Sequence, residues 1–266
     1  MDDLILNACF FDSSSPKAPH FHDCHQLIYV TQGSAHFTVQ GRSYTASAGT
    51  LVLISRFEEH SIHSLTPDYH RYALDIRADL GHAMADEPLL SVLVNRPISF
   101  RHAVDLSGFC EAEGILQQIL QERQTSSILH HKMQKLLLLQ LLLLLCRAQP
   151  DLLSVQADIN HPIHRIQSYL ETNYARPVTL AELARQFHLS PSYLSHLFKR
   201  ITGTSVMGYL ADCRMAAAKR LLAQTDLPVG NIVELCGFSD NSNFSRSFRS
   251  ATSLSPTDFR AQFRQI

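Results

Sequence analysis

An internal repeat constrains this chain more than any other feature. From Ile163 onward the pattern is helical throughout, and sliding that segment against itself by fifty positions brings Leu194, Ser195, Phe198 and Lys199 onto Phe244, Ser245, Phe248 and Arg249. Each copy follows a shorter helical stretch, Leu180 to Phe187 and Val229 to Cys236, and a break, His188-Leu189-Ser190 and Gly237-Phe238-Ser239-Asp240. The reading is helix, tight turn, helix, twice over. Ser190 is a suitable N-cap with Pro191 at the first helical position, and Asp240 or Asn241 caps the second copy. Such a turn fixes the angle between its helices, which lets the second one project into a groove.

Helical spacing sorts the second helix of each copy into two faces. Leu194, Leu197 and Phe198 turn inward, as do Phe244 and Phe248. Ser192, Ser195, His196 and Lys199 in one copy, and Asn241, Ser242, Ser245, Arg246 and Arg249 in the other, remain for the outer side. Short hydroxyls allow close approach to DNA, arginine reaches guanine as a bidentate fork, and a cation one turn on neutralises phosphate. Any exposed helix carries small polar and basic residues. Two copies of matching composition weigh toward DNA.

Charge is distributed accordingly. Residues 1–150 carry 11 basic and 15 acidic side chains, whereas 151–266 carry 12 and 9, so a net charge of -1 hides a more basic second half. Eleven of the 15 histidines lie in the first half, which points to two chemistries in series. The six cysteines form no C-x-x-C pair, which suggests neither a zinc knuckle nor a disulfide framework and fits a reducing cytosol. Met1-Asp2-Asp3 is acidic and no apolar cleavage segment follows, so no secretory signal is expected. The Leu-rich run 136–146 is interrupted by Gln140 and falls short of the roughly 18 apolar residues of a spanning helix. A soluble, cytoplasmic chain without a membrane partner is expected.

Residues 4 to about 76 read as short strands. Leu27-Ile28-Tyr29-Val30 stops at Gly33, apolar residues alternate in 35–39, Gln40-Gly41 looks like a tight hairpin, and Leu51-Val52-Leu53-Ile54 and 69–76 supply further strands. Gly and Pro punctuation at near-regular spacing suggests a small antiparallel barrel or jelly roll. From Phe109 the spacing turns helical through Ile115, Leu116, Ile119 and Leu120, then through a very Leu-rich helix over 128–146 that must be covered by a core or a second subunit. Pro150 to Pro162 is the expected linker, with Leu152, Leu153 and Val155 available to dock on a neighbour.

Several motifs carry a resemblance. Ile166-x-x-Tyr169, Asn173-Tyr174-x-x-Pro177-Val178-Thr179-Leu180-x-x-Leu183-Ala184, Leu189-Ser190-Pro191-Ser192-Tyr193-Leu194-Ser195-x-Leu197-Phe198-Lys199-Arg200, Thr202-Gly203, Gly237-Phe238-Ser239-Asp240, Phe244-Ser245-Arg246-x-Phe248-Arg249 and Ser255-Pro256 resemble the AraC/XylS family of bacterial transcription regulators. The resemblance implies a seven-helix domain in which a long helix, about Ser205 to Leu222, holds two helix-turn-helix units for successive major-groove faces about 34 Å apart. The sequence departs from the family pattern at Val206, Val233, Asn243 and Ser253, and His196 is less basic than the arginine frequent there.

The amino-terminal half also carries a resemblance, through Pro19-His20-Phe21-His22, Gln26-Leu27-Ile28-Tyr29-Val30-x-x-Gly33 and Ala48-Gly49-x-Leu51-Val52-Leu53-Ile54 before His60-Ser61. It is similar to the cupin-type sensor domain of this family. Cupin enzymes use two histidines spaced H-x-H, a carboxylate and a later histidine to hold a metal, and His20, His22 and His60 could fill three such positions. Gln26 stands where the acidic ligand would be. Three readings compete: metal ligation with catalysis, hydrogen bonding to a polar effector such as a sugar through His20, His22, Gln26, Tyr29 and His60, or structural roles. His63, His70 and His130-His131 read as surface residues.

Together these readings imply an α+β chain of two domains, with an effector-binding and dimerisation domain over 1–148, a linker over 149–161 and a DNA-binding domain over 162–266. The expected function is an effector-responsive transcription activator of a bacterial metabolic operon, homodimeric, partnered by promoter DNA, a small-molecule effector and RNA polymerase. It is expected not to be an enzyme, and no cofactor is expected. The rivals are a cupin-type metalloenzyme with a helical appendage and a regulator whose barrel only dimerises. Metal analysis and thermal shifts across small metabolites separate them.

Overall fold

The computed structural model describes residues 4–12, 17–78, 80, 86–94, 100–124, 129–154 and 162–263. The chain divides into two compact units, residues 1–159 and 160–266. The linker expected over 149–161 opens as a helical turn that buries Leu152, and its residues 155–161, Val155 among them, lie outside the described residues.

Unit one is built on two antiparallel sheets. Its strands are β1 (Ile5–Phe11), β2 (Lys17–His20), β3 (Cys24–Gln32), β4 (Ser34–Val39), β5 (Arg42–Ser47), β6 (Thr50–Ile54), β7 (His60–Ser64), β8 (His70–Arg77) and β9 (Ala103–Asp105). One sheet runs β1-β8-β3-β6-β9 and the other β2-β7-β4-β5. The expected barrel is not closed: among the described residues the two sheets share no ladder, which leaves the jelly-roll alternative. At the β4–β5 hairpin Gln40 and Gly41 both take positive φ, 49° and 72°, the twist a two-residue turn between right-twisted strands needs.

The apolar run in β3 is continuous because both of its faces are covered. Ile28 and Val30 meet Phe37, Val39, Ala46 and Ile62 of the other sheet, whereas Leu27 and Tyr29 join Leu51, Leu53, Leu74 and two helices on the opposite face. Those helices are α1 (Glu111–Gln124), burying Ile115, Leu116 and Ile119, and α2 (His130–Ala148), burying Leu137, Leu138, Leu141, Leu142, Leu144 and Leu145. A short α3 (Asp151–Ser154) follows. The Leu-rich run is thus mostly core, but Leu129, Met133, Leu136 and Leu143 remain exposed on α2 and the turn before it. No helix among the described residues is long and apolar enough to cross a membrane.

Unit two holds seven helices among the described residues: α4 (Pro162–Asn173), α5 (Leu180–Gln186), α6 (Pro191–Thr202), α7 (Val206–Gln224), α8 (Val229–Leu235), α9 (Asn241–Thr252) and α10 (Pro256–Phe263). The long α7 serves both helix pairs. Near its start Tyr209 stacks edge-on against Phe198 and donates its hydroxyl to Glu171. Further along, Met215, Ala218 and Leu222 pack with Ile232, Val233, Phe244 and Phe248. Alanines at 216–218 let the neighbouring helices approach closely.

Candidate nucleic-acid interface and histidine cluster

The fifty-residue repeat extends to the hydrogen bonds that end each helix. Ser190 Oγ accepts from the Tyr193 amide at 3.2 Å to cap α6, and Asp240 Oδ1 accepts from the Asn243 amide at 2.6 Å to cap α9, so Asp240 rather than Asn241 is the cap. At the far ends the Thr202 and Thr252 hydroxyls both donate back to the carbonyls of Phe198 and Phe248 at 2.8 Å, before Gly203 and Ser253 turn left-handed. The turns match as well. His188 at φ 55° and Gly237 at φ 76° stop α5 and α8, and the next amides, Leu189 and Phe238, reach back to Ala184 and Val233 at 2.8 and 3.0 Å. A Cβ at Gly237 would lie 2.7 Å from the Ala175 carbonyl, so only glycine fits there.

This framework fixes which side chains face out. Leu194, Leu197, Phe198, Phe244 and Phe248 are buried. Ser192, His196 and Lys199 on α6, and Asn241, Ser242, Ser245, Arg246 and Arg249 on α9, are exposed, while Ser195 is half-buried. Each helix thus presents a polar, basic strip ending in a cation, with donors for phosphate and for base edges. Tyr193, 54% exposed, and Arg200 share the α6 surface and were not singled out from sequence. The signal for Arg200 was present, since it directly follows Lys199.

In unit one the register of β2 on β7 pairs His20 with His60, which puts both rings on one face of the sheet. His22 follows two residues later, and its carbonyl accepts from the Phe57 amide at 3.0 Å. The three imidazoles meet: ring centroids are 4.3 Å apart for His20 and His60, 4.8 Å for His20 and His22, and 5.1 Å for His22 and His60. One ring nitrogen from each lies within 4.8 Å of the others. His60 is buried, and its Nδ1 donates to the Glu58 carbonyl at 2.9 Å, which directs its Nε2 lone pair away from that loop.

The 55–58 loop that supports this cluster is tightly tied. Glu58 accepts from the Ser55 amide at 2.6 Å, Arg56 pairs with Asp23 at 2.6 Å, and Phe57 is held at φ 61°, a costly conformation for a residue with a side chain. Neither Phe57 nor Glu58 was flagged from sequence, because their roles depend on backbone geometry.

Gln26 and Tyr29 part company. Gln26 is buried and donates to Asp75 Oδ1 at 2.7 Å, on the face of β3 that turns to the other sheet. Tyr29 lies three residues on, an odd step along a strand, and its ring belongs to the helix-facing core. Expecting both in one site was therefore a misplacement of Tyr29. The sheet-facing side also buries Arg71, whose guanidinium lies 4.7 and 5.1 Å from the rings of Phe11 and Tyr69, and burial pushes the Tyr69 phenol up to about 12. His63 is exposed, and His70, His130 and His131 are half-buried. Two histidines not singled out, His25 and His102, are buried, and His102 Nδ1 donates to the Leu53 carbonyl at 2.9 Å.

Comparison with known proteins agrees in both units. Residues 10–121 match the family model of the AraC-like ligand binding domain, and residues 183–262 match that of a helix-turn-helix domain. The transcriptional activator RhaR of Pectobacterium atrosepticum is 28% identical over 254 residues, covering 93% of this chain and 87% of its own. The transcriptional activator RhaS of Klebsiella pneumoniae is 28% identical over 259 residues, covering 91% and 86%. Among solved structures, fatty-acid-bound ToxT of Vibrio cholerae shares the fold with a TM-score of 0.63 at 16% identity, over 97% of this chain and 94% of that one.

Proposed function

The chain belongs to the AraC/XylS family of transcription regulators, and from that premise we propose that it is a cytoplasmic, homodimeric activator whose amino-terminal unit answers to a small polar effector. The observation that carries the DNA-binding half is the pair of identically bounded helices, α6 and α9, with exposed polar strips ending in Lys199 and Arg249. The nine outward residues named from sequence are the proposed DNA contacts, with Ser195 the least accessible. Activation follows the two relatives named as activators, and it implies a contact with RNA polymerase.

For sensing, His20, His22, His60 and Gln26 are the proposed effector contacts, and Tyr29 is left to the core. Effector binding would bias the arrangement of domains or subunits and so select which half-sites are engaged together. No enzymatic step is needed for this role. The test is selection of DNA fragments from the source genome by the purified full chain, followed by gel shift. Recovery of a discrete motif supports the reading, and retention of all fragments alike overturns it.

A further inference from the structure

We propose that Arg214 is a positioning residue that sets the spacing between the two DNA-contacting helices, and with it how strictly the chain measures the distance between the two segments it reads. The proposal rests on the reading of α6 and α9 as the DNA contacts. Arg214 stands midway along α7, between Tyr209, which packs on Phe198 of the first helix pair, and Met215, the first residue of α7 in the core around Phe244 and Phe248 of the second. Its guanidinium donates to two carbonyls of the turn that leads from α4 into α5: Nε to Tyr174 at 2.8 Å and Nη2 to Arg176 at 3.0 Å. A planar fork holding two points fixes both the place and the tilt of that turn, which a single hydrogen bond does not.

The second pair grips the same turn. Gly237, the left-handed stop of α8, comes so near that a Cβ there would lie 2.7 Å from the Ala175 carbonyl and 2.9 Å from that of Tyr174, and the Tyr174 side chain packs against the core that holds Phe244 and Phe248. Residues 174–176 thus belong by sequence to the first pair and by contact to the second. They pass their position on through short links: the Thr179–Glu182 capping box starts α5 just beyond them, and the tight turn over 187–190 joins α5 to α6. Arg260 of α10 makes a comparable tie, donating to the Leu227 carbonyl at 2.5 Å just before Pro228, as Arg176 stands just before Pro177. Arg260 closes the second pair on itself, whereas Arg214 ties the entry of the first pair to the helix that carries the second. Two helices entering successive grooves about 34 Å apart fit one spacing best, and one inserted base pair moves the second segment by about 3.4 Å and roughly a tenth of a turn. A rigid pair loses affinity steeply on that insertion. A pair freed of the fork loses less, and it binds the unaltered site more weakly because the ordering is left to the binding step.

The test uses the full-length chain, a fragment carrying one half-site recovered by the genomic selection, and a copy with one base pair inserted between the two segments that footprinting shows to be protected, with affinities read by gel shift. The expected result is a graded series. The loss caused by the insertion is largest for the unsubstituted chain, smaller for Arg214→Lys, which keeps the charge but reaches one carbonyl, and smallest for Arg214→Met, whose affinity for the unaltered site falls at least about tenfold. A loss of stability lowers both affinities alike and leaves their ratio untouched, so the ratio separates positioning from folding, and Arg214→Lys carries the test alone if Arg214→Met does not fold. An insertion loss that is equal in the unsubstituted chain and Arg214→Lys, or absent from the unsubstituted chain, overturns the proposal. An unsubstituted chain that yields no motif in the selection overturns the DNA-binding reading beneath it.

Discussion

Arg246 and Lys199 both stand on exposed helix strips, yet they are expected to act on DNA differently. Arg246 sits mid-helix on α9, where a guanidinium can reach a base edge. Arg246→Ala should therefore cost about 1–3 kcal/mol on the selected promoter and little on unrelated DNA. A gel-shift series with equal losses on both would remove it from base reading. Lys199, near the end of α6, is placed for phosphate. Lys199→Ala should weaken binding to every sequence, and the slope of log affinity against log salt should fall by about one phosphate's share, roughly 0.9. An unchanged slope would assign Lys199 to the solvated surface.

The two helix-turn-helix pairs were legible because their information is local: a 3.6-residue spacing, a capping residue and a break lie close together along the chain, although the left-handed stops at His188 and Ser253 carry no glycine to announce them. Their caps carry a matching prediction. Ser190→Ala and Asp240→Ala should each lower stability by about 1 kcal/mol, read as a shift in urea midpoint at constant slope, and glycine at either position should cost only a few tenths. The sheets were less legible. β5 and β7 are short and polar, and what makes them strands is pairing with β4, a contact that sequence spacing does not encode. In β3, burial on both faces erases the alternation that would have told one face from the other, although the odd separation of Gln26 and Tyr29 already set them apart. The histidine cluster was named from its residues. Its convergence depends on the register of β2 against β7 and on a left-handed Phe57, neither of which can be read along the chain.

At the level of the whole molecule, the proposed homodimer predicts that the exposed apolar residues of α2 set how many recognition helices reach the DNA at once. Leu136 and Leu143 lie seven residues apart, on one face, with Met133 beside them, and they stand out from a helix whose other leucines are buried or, at Leu139, half-buried. A second copy of the chain is the occupant our proposed homodimer assigns to that stripe. Leu136→Glu combined with Leu143→Glu should then yield a monomer by sedimentation, with a melting temperature that no longer rises with protein concentration as the dimer's does. Affinity for a promoter fragment carrying two half-sites should drop by roughly 10²–10⁴-fold, since the second binding event ceases to be intramolecular. Affinity for a fragment with one half-site should hold, because each chain carries both of its recognition helices. Equal losses on the two fragments, or a dimer that survives both glutamates, would move the dimer contact elsewhere on the chain.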